Sequence, residues 1–288
     1  MNATPEAVRG HHIPKKMAQE IIEVKSVDVI QAIDRAEVDV QIATAKQYPR
    51  DVAKVLNTIR TYGQMDTETA QECFYSLQRK DNNIEGVSVR FAEIVAGAWG
   101  NLRVATRIIG NDGKTVTAQG IAHDLETNLA VSVEVKRRIT DKYGKTFSED
   151  MQVVTGNAAS AIAFRNAVMK VVPKAVTKKV TDEIKAVAIG SAKDIESRRK
   201  AMVDYVKDNF NVTDEQILFY CGCSTLEEID NNMLFNIRGA INAIREGDST
   251  VDEIFVAPLA EEKKKEAAAK KGETAIEKAA ASIARTVK

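Results

Sequence analysis

Leu129-Ala130-Val131-Ser132-Val133-Glu134-Val135 alternates apolar residues with small or polar ones, and it is the last of three such runs. Alternation with period two marks a strand with one face buried, because successive side chains point to opposite faces. Upstream, Leu102 to Ile109 carries apolar residues with Arg103 and Arg107 interposed, and Thr115 to Ala122 is built from β-branched and small residues. Asn111-Asp112-Gly113-Lys114 joins the first two runs, and Asn and Gly tolerate the positive φ of a short hairpin turn. Asp124-Leu125-Glu126-Thr127-Asn128 turns the chain again before the third. Three strands joined this tightly predict an antiparallel meander. The last strand runs out into Lys136-Arg137-Arg138 and a basic loop, Asp141-Lys142-Tyr143-Gly144-Lys145.

Ser148, with Met151 three residues on, then opens a helix whose next firm stop is Pro173. Between Asn157 and Ala167 it is rich in alanine, with Ile162 and Phe164 as larger anchors. Small side chains let a helix lie close on a sheet. Arg165 sits in the middle of that close-packed element. Two readings stand for it: a guanidinium that snorkels to the surface along its own stem, or a contact with an anion. The fold class is therefore α+β, with helices first, then a three-stranded antiparallel meander packed on a long helix, and a small all-α module at the C-terminal end.

Residues 17–45 suit helix and strand equally and stay undecided. Pro49 predicts a helix from Asp51 to Thr61, with Val52, Val55, Leu56 and Ile59 on one face. A second helix is expected from Thr67, holding Ala70, Cys73, Phe74 and Leu77, followed by a polar link over Arg79 to Asn83. A third, Ser88 to Ala98, turns Val89, Ile94, Val95 and Ala98 inward and ends at Trp99-Gly100. Trp99 reads better as a core anchor than as a base-stacking platform. Beyond Pro173 come Lys174, Lys178, Lys179 and Lys185, and then Arg198-Arg199-Lys200.

Residues 201–256 predict about three short helices, signed by capping boxes at Thr213 with Gln216, Ser224 with Glu227 and Thr250 with Glu253. Their expected core is Leu218, Ile229, Leu234, Ile237, Ile241, Ile244 and Phe255. After Pro258 the chain becomes an Ala/Lys/Glu tether with a weakly amphipathic end. The division expected is an N-terminal arm over 1–45 with His11-His12 and Lys15-Lys16, a core over 46–200, an acidic helical module over 201–256 and a tail over 257–288.

The 288 residues are 44% apolar, enough for a sizeable core. A net charge of zero hides a strong segregation. Residues 86–200 hold 19 Lys and Arg against 12 Asp and Glu, whereas residues 201–256 hold 3 against 11. A basic centre beside an acidic module suggests a polyanion site in one and another partner for the other. Three cysteines without a framework (Cys73, Cys221, Cys223) fit a reducing cytoplasm, and Cys221-Gly222-Cys223 lacks the second pair a metal site needs. No membrane span, secretory leader, Walker A loop, dinucleotide fingerprint, HExxH or nucleophile elbow can be read. Asp124, Glu126 and Asp141 raise a nuclease metal site, but acids are common in turns for local reasons. No catalytic residue, metal ligand or cofactor is expected.

Three phrases carry a likeness: Glu72 to Leu77, Ile84 to Ile94, and Val154 to Pro173. Together with the order helix, Trp-Gly, meander, basic loop and Ala-rich helix, they resemble the single-strand annealing proteins of phages, the RecT, Red-beta and Erf superfamily. Thr213 to Leu218 and Gly247 to Phe255 are similar to the small C-terminal domains of RecT-like proteins. The resemblance covers residues 45–256. It implies a protein that is not an enzyme, acts without ATP in the cytoplasm of a bacterial host, and assembles into rings or helical filaments. Such proteins grip single-stranded DNA by its phosphates and present its bases to a complementary strand.

The resemblance places DNA binding on Lys136, Arg137, Arg138, Lys142 and Lys145, and on Arg165 and Lys170 in the long helix. Arg103, Arg107 and Lys174 complete the candidate set. It implies a single-strand-binding protein or an exonuclease as a further partner through the C-terminal module, and leaves open whether Mg²⁺ assists DNA binding. The alternatives are a phage assembly protein whose basic hairpin contacts another subunit, and a nuclease built on Asp124 and Glu126.

Overall fold

The computed structural model describes residues 15–79, 82–141, 143–190, 195–265 and 267. The polar arm expected at His11-His12, Lys142 and the end of the tail lie outside them. The chain forms two compact units, Met1–Pro49 and Arg50–Lys288. In the first, the undecided segment is one helix, α1 (Lys15–Gln47).

The second unit opens with α2 (Val52–Gly63), where the Asp51 carboxylate caps the helix by accepting from the amides of Ala53 and Lys54. Next, α3 (Thr67–Glu72) is shorter than expected. Phe74 and Leu77 lie in a strand instead, β1 (Phe74–Arg79), paired antiparallel with β2 (Asn82–Val87). The predicted polar link is thus part of a hairpin. Tyr75 faces Gly86 across the pair, and its ring fills the space where a side chain on Gly86 would stand. Ser88 caps α4 (Val89–Trp99) by accepting from the Arg90 and Phe91 amides, and donates its hydroxyl to the Glu72 carbonyl. Phe91 and Ala92 are buried beside Val89 and Val95, whereas Ile94 and Ala98 are only half-buried. Gly100 takes φ 61°, which suits a glycine, and turns the chain into the sheet.

The meander is β3 (Leu102–Asn111), β4 (Thr115–Asp124) and β5 (Leu129–Arg138), in that spatial order and antiparallel throughout. It packs on α5 (Glu149–Val171), capped by Ser148, whose hydroxyl accepts from the Met151 amide. Burial alternates residue by residue along β4. Val116, Ala118, Gly120 and Ala122 face the helix, where Ala159, Ala163 and Ala167 are fully buried. Any side chain at Gly120 would strike the Ala163 carbonyl, so a glycine under an alanine helix sets the close approach.

Lys174–Ile189 forms α6, a helix that the lysine-rich sequence hid; it buries Val180, Ile184 and Ala188. Then follow α7 (Ile195–Phe210), α8 (Asp214–Cys221), a 3₁₀ turn at Leu226–Glu228, α9 (Asn231–Arg245) and a π-helical turn at Asp252–Val256. Helix continues from there through 257–265. The capping boxes form at Thr213 and at Thr250. Ser224 with Glu227 forms none: Thr225 precedes the 3₁₀ turn, and the Ser224 amide donates to Glu228. Of the expected core, Leu218 and Ile244 are half-buried and the others buried.

No boundary between compact units falls at residue 200. Helix α9 belongs to two cores at once. One side gives Phe235 to the cluster of Val55, Ile59, Phe91, Val95, Val168 and Ile184; the other gives Ile237 and Ile241 to the cluster with Val206, Ile217 and Phe255. Gly239 lies on β1, where a Cβ would come within 2.7 Å of the Ser76 side chain. Asn242 donates to the Gln71 and Phe74 carbonyls at 2.8 and 2.9 Å, satisfying backbone groups at the end of α3 and the start of β1.

Candidate nucleic-acid interface

Because α5 covers one face of the meander, strand parity decides which side chains remain on the other. The pairing register puts Arg103 opposite His123, Arg107 opposite Gln119, Lys136 opposite Thr117 and Arg138 opposite Thr115. All of these face away from α5. Residues 103, 105 and 107 and the even positions 130–138 are exposed, and the facing residues of β4 are half-buried. The open face carries four cations among Thr115, Thr117, Gln119, Ser132 and His123, with Glu134 as the single acid on these strand positions. Arg107 is steadied by a 2.9 Å bond from Nε to Gln119 Oε1.

One end of this face is richer still. The loop carrying the exposed Lys145 folds back beside the β3–β4 hairpin: the Ile139 amide donates to the Lys114 carbonyl and the Thr146 hydroxyl to the Gly113 carbonyl. Lys114, exposed in that turn, therefore joins Lys145, Arg138 and Lys136 at one end. It was absent from the sequence-based set, although its place in a turn between two strands was visible. Asp112, in the same turn, sets one firmly ionised carboxylate beside these cations. The amides of Thr115 and Lys114 and the Thr115 hydroxyl bind its carboxylate and hold its pKa below the ordinary value.

The other candidates stand elsewhere. Lys170 and Lys174 are exposed at the end of α5 and the start of α6, in the layer that covers the opposite face. Arg137 falls on the helix side of β5, opposite Val116. It donates to the Asp248 carbonyl at 3.1 Å and to the Gly247 carbonyl. Arg165 neither snorkels nor meets solvent: it is buried, 2.9 Å from the Asp248 carboxylate and 4.7 Å over the Tyr75 ring. Strand parity keeps Arg137 off the open face, and Arg165 belongs to the helix that covers the other one.

Asp124 and Glu126, the acids of the nuclease alternative, are both bound by Arg50. Its guanidinium meets the two Asp124 oxygens at 2.5 and 2.7 Å and Glu126 Oε1 at 3.0 Å. It also lies 4.1 Å over the ring of Trp99, whose indole N–H donates to Asp124 at 2.9 Å. Burial alone would raise the Asp124 carboxyl, but the hydrogen bonds from Arg50 and Trp99 outweigh it and hold the pKa well below the usual range. Trp99 is buried in the core, as its anchoring role requires. This cluster clamps the entry to α2 onto the turn after β4.

No protein-family model, curated protein or solved structure matches the chain. Among the described residues, no helix is long and apolar enough to cross a membrane.

Proposed function

We propose that the chain binds single-stranded DNA on the open face of the meander and anneals complementary strands, without ATP, as a homo-oligomer in the cytoplasm of a bacterial host. The observation that carries this reading is the parity of Arg103, Arg107, Lys136 and Arg138 on one uncovered face, continued by Lys114 and Lys145. Ten-residue strands make such a face about 33 Å long, and three strands make it about 10 Å wide, a track fit for an extended phosphate backbone. The face offers cations and hydroxyls rather than aromatic rings, so it suits phosphate contacts that ignore sequence. Self-association is supported by the edge of β3, unpaired among the described residues, where Ile108 and Ile109 are 47% and 43% exposed; Val153 of α5 is 63% exposed. The same edge favours the assembly-protein reading, which requires no DNA.

Fluorescence anisotropy with a labelled oligo-dT, at about 50 and 200 mM salt, tests the proposal. Six phosphate contacts at a slope of about 0.7 each imply a loss of about 300-fold in affinity between those salts. Replacing Arg103, Arg107, Lys136 and Arg138 by Ala should abolish most of that dependence and slow annealing, at an unchanged melting temperature because the four side chains are exposed. Absent or salt-insensitive binding by the unaltered protein would refute the reading.

A further inference from the structure

Arg137 and Arg165 arrive from different elements, yet both guanidinium groups end on one short loop. Arg165 Nη1 meets Asp248 Oδ2, and Arg137 donates to the carbonyls of Gly247 and Asp248. The loop thus offers two arginines a cluster of acceptor oxygens with one negative charge, which is what a phosphodiester would offer. Asp248 itself is poorly served. Its other carboxylate oxygen is buried with no hydrogen-bond partner. Next to it, the Glu246 carboxyl is pushed up to about 7 by burial and by the charge of Asp248, so the segment holds two acids in mutual opposition.

The loop is tied to the end of α9 by its own amides, and its Gly247 packs closely on Ala158 of α5. Gly247 donates to the Ile244 carbonyl at 3.1 Å, and the amides of Asp248 and Ser249 share the Ala243 carbonyl at 2.8 and 3.2 Å. The anchors of α9 on β1, through Gly239 and Asn242, lie further back along the helix and do not depend on the loop. Glu246 and Gly247 form one wall of an open cleft of about 480 Å³ that Arg90 also lines, which leaves space beside the loop.

We infer that Arg137 and Arg165 form a second phosphate site, kept closed by the Gly247–Asp248 loop as a resident phosphate mimic and opened when a nucleic-acid backbone takes the loop's place. This rests on the single-strand reading above, and adds to it an autoinhibitory latch. The acidic C-terminal part of the chain then competes with DNA for the same two side chains.

Two measurements on the full chain test the latch. Hydrogen exchange is followed at Gly247, Asp248 and Ser249 with and without oligo-dT. Exchange should speed up when DNA binds, the reverse of ordinary ligand protection; protection or no change overturns the latch without requiring any variant. In Asp248→Asn, which keeps an acceptor for Arg165 but loses the charge, oligo-dT affinity at about 50 mM salt should rise roughly tenfold. Its salt slope should steepen by about 1.4, for two added phosphates at about 0.7 each. Adding Arg137→Ala and Arg165→Ala should cancel both gains. An Asp248→Asn protein that binds with the unaltered slope overturns the latch and leaves the annealing reading standing. If neither protein binds the oligonucleotide at low salt, the annealing reading falls first and the latch with it.

Discussion

Replacing Arg50 by Ala strands a carboxylate. Asp124 is 2% exposed and takes three side-chain hydrogen bonds, two from Arg50 and one from Trp99. Removing one partner of a buried ion pair costs about 3–5 kcal/mol, because the remaining charge is left unpaired away from water. Loss of the stack on Trp99 falls within the same change and is not added to it. For a unit of this size, about 2–4 °C of melting temperature goes with each kcal/mol, so the drop at pH 7 should be about 6–20 °C. The pH dependence follows from the depressed Asp124 pKa. A carboxylate held low in the folded state stabilises above its unfolded pKa of about 3.9, and that stabilisation is lost as pH falls through the folded value. The gap between the two proteins, followed by circular dichroism, should therefore narrow below about pH 4. Arg50→Met combined with Asp124→Leu should recover part of the loss, since it leaves no charge buried at position 124 and Glu126 keeps its bond from Asn101. An Arg50→Ala protein melting within about 2 °C of the parent at pH 7, or a gap that widens in acid, would refute the reasoning.

Deleting residues 201–288 strips Phe235, Gly239 and Asn242 from the start of β1, so the fragment should lose its cooperative melt and aggregate; a soluble fragment with a sharp transition would show that α9 is dispensable. Glu246→Gln should raise the melting temperature at pH 8 by about 2–8 °C, for about 1–2 kcal/mol, and leave it unchanged near pH 4. The sign follows from burial and Asp248, which lift the Glu246 pKa from 4.5 to about 7 against Arg165, Arg90 and the Val89 amide. The stability tied to its proton is complete below the lower value and lost as pH rises through the upper, and a lower melting point for the Gln variant at pH 8 would contradict this.

The meander and α5 were legible because each strand and turn states its own rule locally: alternation, an Asn-Asp-Gly turn, a serine cap and a proline stop. The β1–β2 hairpin was not, since Ala70, Cys73, Phe74 and Leu77 also fit a helical spacing, and what favours the strand is α9, whose Asn242 bonds Phe74 across 168 positions. The candidate site divides along the same line. Lys136 and Arg138 share a parity and therefore a face; Arg137 between them had to turn the other way, which the pleat alone predicts. Arg165 could not be placed from its neighbours. Its partner in this structure stands 83 residues downstream, where nothing in the local sequence points to it.

That pairing changes what the charge segregation means. A basic stretch followed by an acidic one suggested two modules with separate partners. In the folded unit, Asp248 meets Arg165, and the carbonyls beside it meet Arg137; in the reverse sense, Arg238 of α9 reaches Glu68 and lies 4.0 Å from Glu72. Opposite charges from distant segments are thus used against each other where the chain closes on itself. Arg103, Arg107, Lys136 and Arg138 take no part in these pairings and stand on the face of the meander that α5 does not cover. An overall charge of zero is therefore compatible with one basic face, because the acids are distributed elsewhere and three of them, Asp124, Glu126 and Asp248, are bound by arginines that lie inside.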